Sequence, residues 1–175
     1  LPAFPVVAHF PPGGPALLAI DADGDRRPEI CWAGGDTIAA HGDSTSLFAV
    51  RIDGGGLAGP SHVFATLDRK PLPVLAATVT GDATFGYGPS VFAVTTTFEG
   101  AADTLGGRVW LVDHLGAPLP GWPVRLSAHA TTPPVLAGVW PSTVVFVGAG
   151  NGRVYALRND GSVVDSSDVA LGGPV

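Results

Sequence analysis

Asp21, Asp23, Asp25 and Glu29 stand at positions 1, 3, 5 and 9 of the stretch Asp21-Ala22-Asp23-Gly24-Asp25-Arg26-Arg27-Pro28-Glu29-Ile30. If the chain wraps there, four carboxylates converge on one cation, with the Arg27 carbonyl at position 7 as a fifth oxygen. Hard oxygen donors at that density suit Ca²⁺, which takes roughly 6–8 oxygens in flexible geometry. An EF-hand is the obvious competitor, and the loop fails it. Position 6 is Arg26 rather than Gly, position 12 is Trp32 rather than Glu, and the flanks read as strands rather than helices. The alternative to a metal is an Asp-rich hairpin held by side-chain–backbone bonds, with Arg26 and Arg27 neutralising the carboxylates.

Other stretches that could carry chemistry are weaker. Gly42-Asp43-Ser44 resembles the nucleophile block of GDSL-type esterases, but no downstream Asp-x-x-His accompanies it. Val144-Val145-Phe146-Val147-Gly148-Ala149-Gly150-Asn151-Gly152 mimics the start of a dinucleotide fold. Its third glycine would fall on Arg153, and a strand rather than a helix follows, so a hairpin turn is expected. The five histidines (His9, His41, His62, His114, His129) lie singly, without metal-ligand spacing. The one cysteine, Cys31, allows no disulfide within the chain and reads as a small buried hydrophobe. No catalytic residue is assigned.

Composition limits what can position the acidic loop. The 175 residues include 25 Gly and 17 Pro, yet 46% are hydrophobic, which is too apolar for disorder. One Lys, two Glu and no Met or Gln leave few helix formers, while Val, Thr and aromatics suit pleated strands. The fold class expected is all-β. A net charge of −6 without a basic stripe argues against nucleic acid. No apolar run approaches the ~18 residues of a membrane span. The chain opens at Leu1 without a basic-apolar leader, so it reads as a mature or excised piece.

Self-comparison supplies the architecture. Leu1-Pro2-Ala3-Phe4-Pro5-Val6 matches Leu119-Pro120-Gly121-Trp122-Pro123-Val124. Apolar segments follow Pro15, Pro73 and Pro134, and another begins at Pro174. Between these anchors, Ser46–Gly54, Gly107–Gly116 and Gly152–Gly161 each read as a strand running into an Asp/Asn-Gly-like turn. A further apolar stretch precedes each: Pro28–Ala33, Pro89–Thr95 and Thr143–Val147. Four short strands per unit is the arithmetic of a β-propeller blade. About three blades of an incomplete ring are expected: 1–14 as the outer strand of a preceding blade, then blades at 15–72, 73–133 and 134–175. Thr37–Ser46, Gly81–Gly88 and Thr96–Gly106 read as variable rim loops. Phe48, Trp110, Tyr155, Phe4 and Trp122 recur at matching positions and read as packing residues between blades. Trp32 and Trp140 fall outside that pattern and are the surface candidates.

The D-x-D-G-D-x-x-x-E-I loop after an apolar strand, together with the L-P-G-W-P-V segment, resembles the FG-GAP/VCBS-type repeats of extracellular β-propellers. That resemblance implies a Ca²⁺ site on Asp21, Asp23, Asp25 and Glu29 in the first blade. The second unit keeps only Asp82 and the third nothing acidic. It also implies an extracellular or cell-surface setting, with the periplasm as a variant. The function expected is a non-enzymatic, calcium-stabilised structural or interaction module. Its partners would be other protein chains or further blades. A carbohydrate-binding module, or the propeller part of a secreted enzyme, is the alternative.

Overall fold

The computed structural model describes residues 17–23, 25–36, 44–51, 53–56, 63–68, 74–82, 91–99, 105–138 and 142–168. Within them the chain forms three four-stranded antiparallel sheets and no helix. Sheet 1 holds β1 (Leu18–Ile20), β2 (Glu29–Asp36), β3 (Ser44–Val50) and β4 (Val63–Asp68). Sheet 2 holds β5 (Val74–Asp82), β6 (Val91–Glu99), β7 (Leu105–Val112) and β8 (Val124–Leu126). Sheet 3 holds β9 (Val135–Ala137), β10 (Val144–Gly148), β11 (Arg153–Arg158) and β12 (Val163–Asp168). Strands neighbour one another in chain order in every sheet. Among the described residues no helix is long and apolar enough to cross a membrane.

One turn design is used four times. In each, the first residue's carbonyl accepts from the N–H of a glycine three positions on, and its own N–H donates to the carbonyl one position further. The copies start at Arg51, Asp113, Ala149 and Arg158. The glycines are Gly54, Gly116, Gly152 and Gly161, with φ of 88°, 82°, 78° and 79°. This is the three-residue hairpin loop in which a left-handed glycine closes the ladder with a bulge. Asp53, Asn151 and Asp160 accept the N–H two residues on, at 2.9, 3.2 and 2.9 Å, and in the remaining copy Asp113 accepts from the Leu115 N–H at 2.9 Å, so each copy also carries an Asx bond. The expected Asp-Gly turns are therefore present. The glycine-rich segment after Val147 is a hairpin, as its spacing predicts.

The sheets stack face to face. Cys31, Ala33, Leu47 and Ala49 of sheet 1 form one buried cluster with Phe92, Val94, Trp110 and Val112 of sheet 2. The alternate residues of sheet 2, Val91, Ala93, Val109 and Leu111, join Val145, Val147, Tyr155 and Leu157 of sheet 3. Sheet 2 is thus covered on both faces, which is why Val91–Val94 and Val109–Val112 read as unbroken apolar runs rather than alternating ones. β5 lies against β1 and β2 on one side and β9 on the other.

Sheet 2 also reaches into sheet 3 through its connections. The Trp122 indole N–H donates to the Asn159 carbonyl at 2.8 Å. Beside it Gly121 and Gly161 meet backbone to backbone, so a Cβ on either would run into the other strand's turn. After β8, the Thr131 and Gly150 N–H groups bond to the Gly148 and His129 carbonyls, both at 2.9 Å. Ser127 Oγ and Tyr155 OH share a 2.6 Å hydrogen bond, and Asn151 Nδ2 donates to Ser127 Oγ at 2.8 Å. His129 lies in the connection after β8, where its carbonyl accepts the Gly150 N–H.

Two expectations are corrected. Trp32 is not a surface residue: it is 5% exposed and stacks on Phe48 with ring centroids 5.2 Å apart. The register explains this, because Trp32 pairs with Phe48 as Val94 pairs with Trp110 and Val147 with Tyr155. The rim loops are also shorter than expected. Asp36 and Ser44 are paired strand residues, β5 continues through Gly81 and Asp82, and β6 and β7 run to Glu99 and from Leu105. Residues 1–14, Gly42, Asp43 and Trp140 lie outside the described residues.

Candidate metal centre

β1 and β2 pair only from Leu18↔Cys31 to Ile20↔Glu29, so the acidic stretch is the connection between them. The loop is pinned from below. Ala22 is fully buried in the first core cluster. Its N–H donates to Glu29 Oε2 at 2.8 Å, and Glu29, the first residue of β2, is 1% exposed. Above that anchor the aspartates fold the loop on itself. Asp21 Oδ2 accepts from the Arg26 N–H at 2.8 Å, Asp23 Oδ1 from Asp25 at 3.1 Å, and Asp25 Oδ1 from Arg27 at 2.8 Å. Arg26 takes φ 68°, a left-handed conformation that costs a side-chain-bearing residue about 1–2 kcal/mol.

One carboxylate oxygen from each of Asp21, Asp23 and Glu29 lies within 4.8 Å of the others, so this group could hold a metal ion. Asp25 does not belong to that group: it is exposed and caps the loop backbone. Asp25, Arg27 and Glu29 line a pocket of about 270 Å³ together with Arg51 and Asp53. The last two come from the β3–β4 turn. Arg51 Nη2 donates to Asp23 Oδ2 at 2.9 Å. The guanidinium bonded to Asp23 is therefore that of Arg51, while the Arg26 and Arg27 residues are exposed.

Electrostatics favours an added positive charge. Burial pushes the Glu29 carboxyl above its ordinary range; the Ala22 N–H opposes this, and the charges of Asp23, Asp25 and Asp21 add to it. Partial burial also pushes Asp23 upward, but the Arg51 guanidinium and the Asp25 N–H outweigh it and hold that carboxyl below its usual value. Burial, then the Glu29 charge, pushes the Cys31 thiol up to about 12, so it stays protonated and inert.

Sequence spacing alone picks out Asp21, Asp23 and Glu29 but misses Arg51 and Asp53. A signal for them exists in the topology. In an antiparallel meander, the connection from first to second strand and that from third to fourth emerge at the same end of the sheet. An Arg-x-Asp-Gly turn after the third strand must then sit beside the acidic loop. The chain matches no family model and no curated protein.

Proposed function

We propose that this chain is a calcium-stabilised segment of a β-propeller, a non-enzymatic structural and interaction module of an extracytoplasmic protein. The observation that carries the calcium reading is the Asp21–Asp23–Glu29 group, three oxygens drawn together around a carboxylate that the core buries. Donors that are all oxygen fit a hard cation, and a loop with one exposed side and flexible ligands fits Ca²⁺ better than the small, octahedral Mg²⁺. Residues Asp21, Asp23 and Glu29 would hold the ion, with Asp25 and the Arg27 carbonyl within the same loop. Bound there, Ca²⁺ would supply charge neutralisation rather than reaction chemistry.

Support for the propeller reading comes from three four-stranded meanders stacked on successive faces, with β5 adjoining both β1 and β9. The likeness to FG-GAP/VCBS-type repeats agrees with it, and the extracellular or cell-surface setting rests on that likeness. Calorimetric titration with CaCl₂ is expected to give one site per chain, with a much weaker response to MgCl₂. Absence of a calcium heat would refute this reading.

The interaction part rests on a second observation. The face of sheet 3 turned away from sheet 2 exposes Val135 and its cross-strand partner Phe146, and Val163 and Val164 are exposed on β12. Exposed apolar area on a sheet face marks a contact surface, here for another protein chain or further blades. Light scattering is expected to find the 17.6 kDa chain in larger species at micromolar concentration. A monodisperse monomer would count against it. A glycan-binding role loses one of its two surface tryptophans, since Trp32 is buried.

A further inference from the structure

We infer that Asn151-Gly152 is a latent deamidation site. The contact between sheets 2 and 3 holds the Asn151 amide closed, and local opening of that contact lets water turn the amide into an acid.

The chemistry needs an asparagine whose side-chain carbonyl carbon can be reached by the next residue's backbone nitrogen. The Gly152 nitrogen, once its proton has passed to solvent, attacks Asn151 Cγ. That N–C bond forms, the Cγ–Nδ2 bond breaks, and ammonia leaves. Water then opens the cyclic imide. Attack at Cγ gives aspartate, and attack at the main-chain carbonyl gives isoaspartate, whose backbone runs through an extra methylene. Asn151 is exposed, and Gly152 has nothing within 4 Å of where a Cβ would stand, so base and water have access.

Hydrogen bonds at both reacting groups withhold the reaction. Asn151 Nδ2 donates to Ser127 Oγ at 2.8 Å and to Tyr155 OH at 3.2 Å, and Oδ1 accepts from the Arg153 N–H at 3.2 Å. The Gly152 N–H donates to the Ala149 carbonyl at 2.9 Å. An amide held at both its nitrogen and its oxygen cannot turn its carbon toward that backbone nitrogen, so the reaction runs from a locally opened turn.

The sister turns indicate what each product does. Asp53 and Asp160 stand where Asn151 does, and each accepts the N–H two residues on. An aspartate at 151 therefore fits the turn. It loses the Nδ2 bonds to Ser127 and Tyr155, the first of which ties the β10–β11 turn to the connection after β8. Isoaspartate lengthens the loop backbone, and the paired bonds of Ala149 to Gly152 and Arg153 no longer close together.

Asn151 and Asn159 are the only side-chain amides in the sequence, which has no Gln, so peptide mapping after incubation in mildly alkaline buffer reads each site directly. In the wild type, Asn151 is expected to deamidate at least roughly tenfold more slowly in buffer than in urea. Ser127→Ala is expected to raise the rate in buffer roughly 5-fold, the equivalent of one neutral hydrogen bond in the opening equilibrium. Trp122→Phe cuts the indole bond to Asn159 without touching Asn151, and it is expected to leave the Asn151 rate unchanged. Equal wild-type rates in buffer and in urea overturn the inference, as does a Ser127→Ala rate no faster than that of Trp122→Phe. An Asn151 that stays an amide in urea overturns it too.

Discussion

Chelation is expected to lower the melting temperature of the wild-type chain, and Asp23→Asn to remove most of that response. An ion that binds only the folded loop stabilises by mass action, about 2.7 kcal/mol when its free concentration is a hundred times Kd. For a chain of this size that corresponds to a shift of roughly 5–10 °C. Asp23 supplies one of the three grouped oxygens, so its replacement weakens cation binding; it is also the acceptor for Arg51, so the metal-free loop loses an ion pair as well. In calcium, Asp23→Asn should therefore melt well below the wild type. In EDTA the two should melt within a few degrees of each other. The mutant then lacks its Arg51 ion pair, but the charge pressing on buried Glu29 is relieved. An Asp-rich turn without a metal predicts no calcium response in either protein. Wild-type melting curves that superimpose in calcium and in EDTA would remove the metal assignment.

Gly161→Ala is expected to destabilise the chain more than Gly152→Ala, although both glycines close the same kind of turn. Their φ angles, 79° and 78°, carry the same left-handed penalty of about 1–2 kcal/mol for a residue with a Cβ. Their surroundings differ. A Cβ at Gly152 meets nothing within 4 Å, whereas one at Gly161 runs into the Gly121 carbonyl of the neighbouring sheet's connection. The excess should be at least ~1 kcal/mol, since either strain or separation of the two backbones must follow. Trp122→Phe gives an independent measure of the same contact, about 1 kcal/mol for its bond to the Asn159 carbonyl. Urea midpoints of the three variants provide the comparison. Equal midpoints for the two glycine variants would mean that the contact between Gly121 and Gly161 yields without cost.

The elements that could be read from the sequence are those with a local cause. The glycines of the hairpin turns are demanded by backbone geometry, so Asp53-Gly54 and Asp160-Gly161 mark turns whatever surrounds them. The carboxylates of Asp21, Asp23 and Glu29 are likewise close in sequence, and one short connection suffices to gather them. What could not be read has a non-local cause. Trp32 looked free because its matching positions hold Val94 and Val147; only the register with Phe48 buries it. Arg51 is 28 residues from Asp23; strand order brings its turn beside the acidic loop, but no local signal says which side chain will cross to it. The strand extensions through Gly81-Asp82 and Thr96–Glu99 were hidden by Gly and Thr, residues that suit loops but are held here by partners across the ladder.

The contact that Trp122 makes on Asn159 separates the unit of sequence from the unit of folding. A repeat counted by its prolines ends near residue 133, yet the indole before that boundary finds its acceptor after it, and Ser127 likewise reaches Tyr155. β11 is gripped near its start by one connection and just past its end by another, both belonging to the sheet before it. Cutting the gene at the proline would leave each piece with half of a hydrogen-bonded pair and a glycine shaped for a backbone no longer there. Recombination that keeps this chain foldable must therefore exchange blocks staggered against the repeat, with the Leu-Pro-Gly-Trp-Pro segment travelling with the turn it clasps.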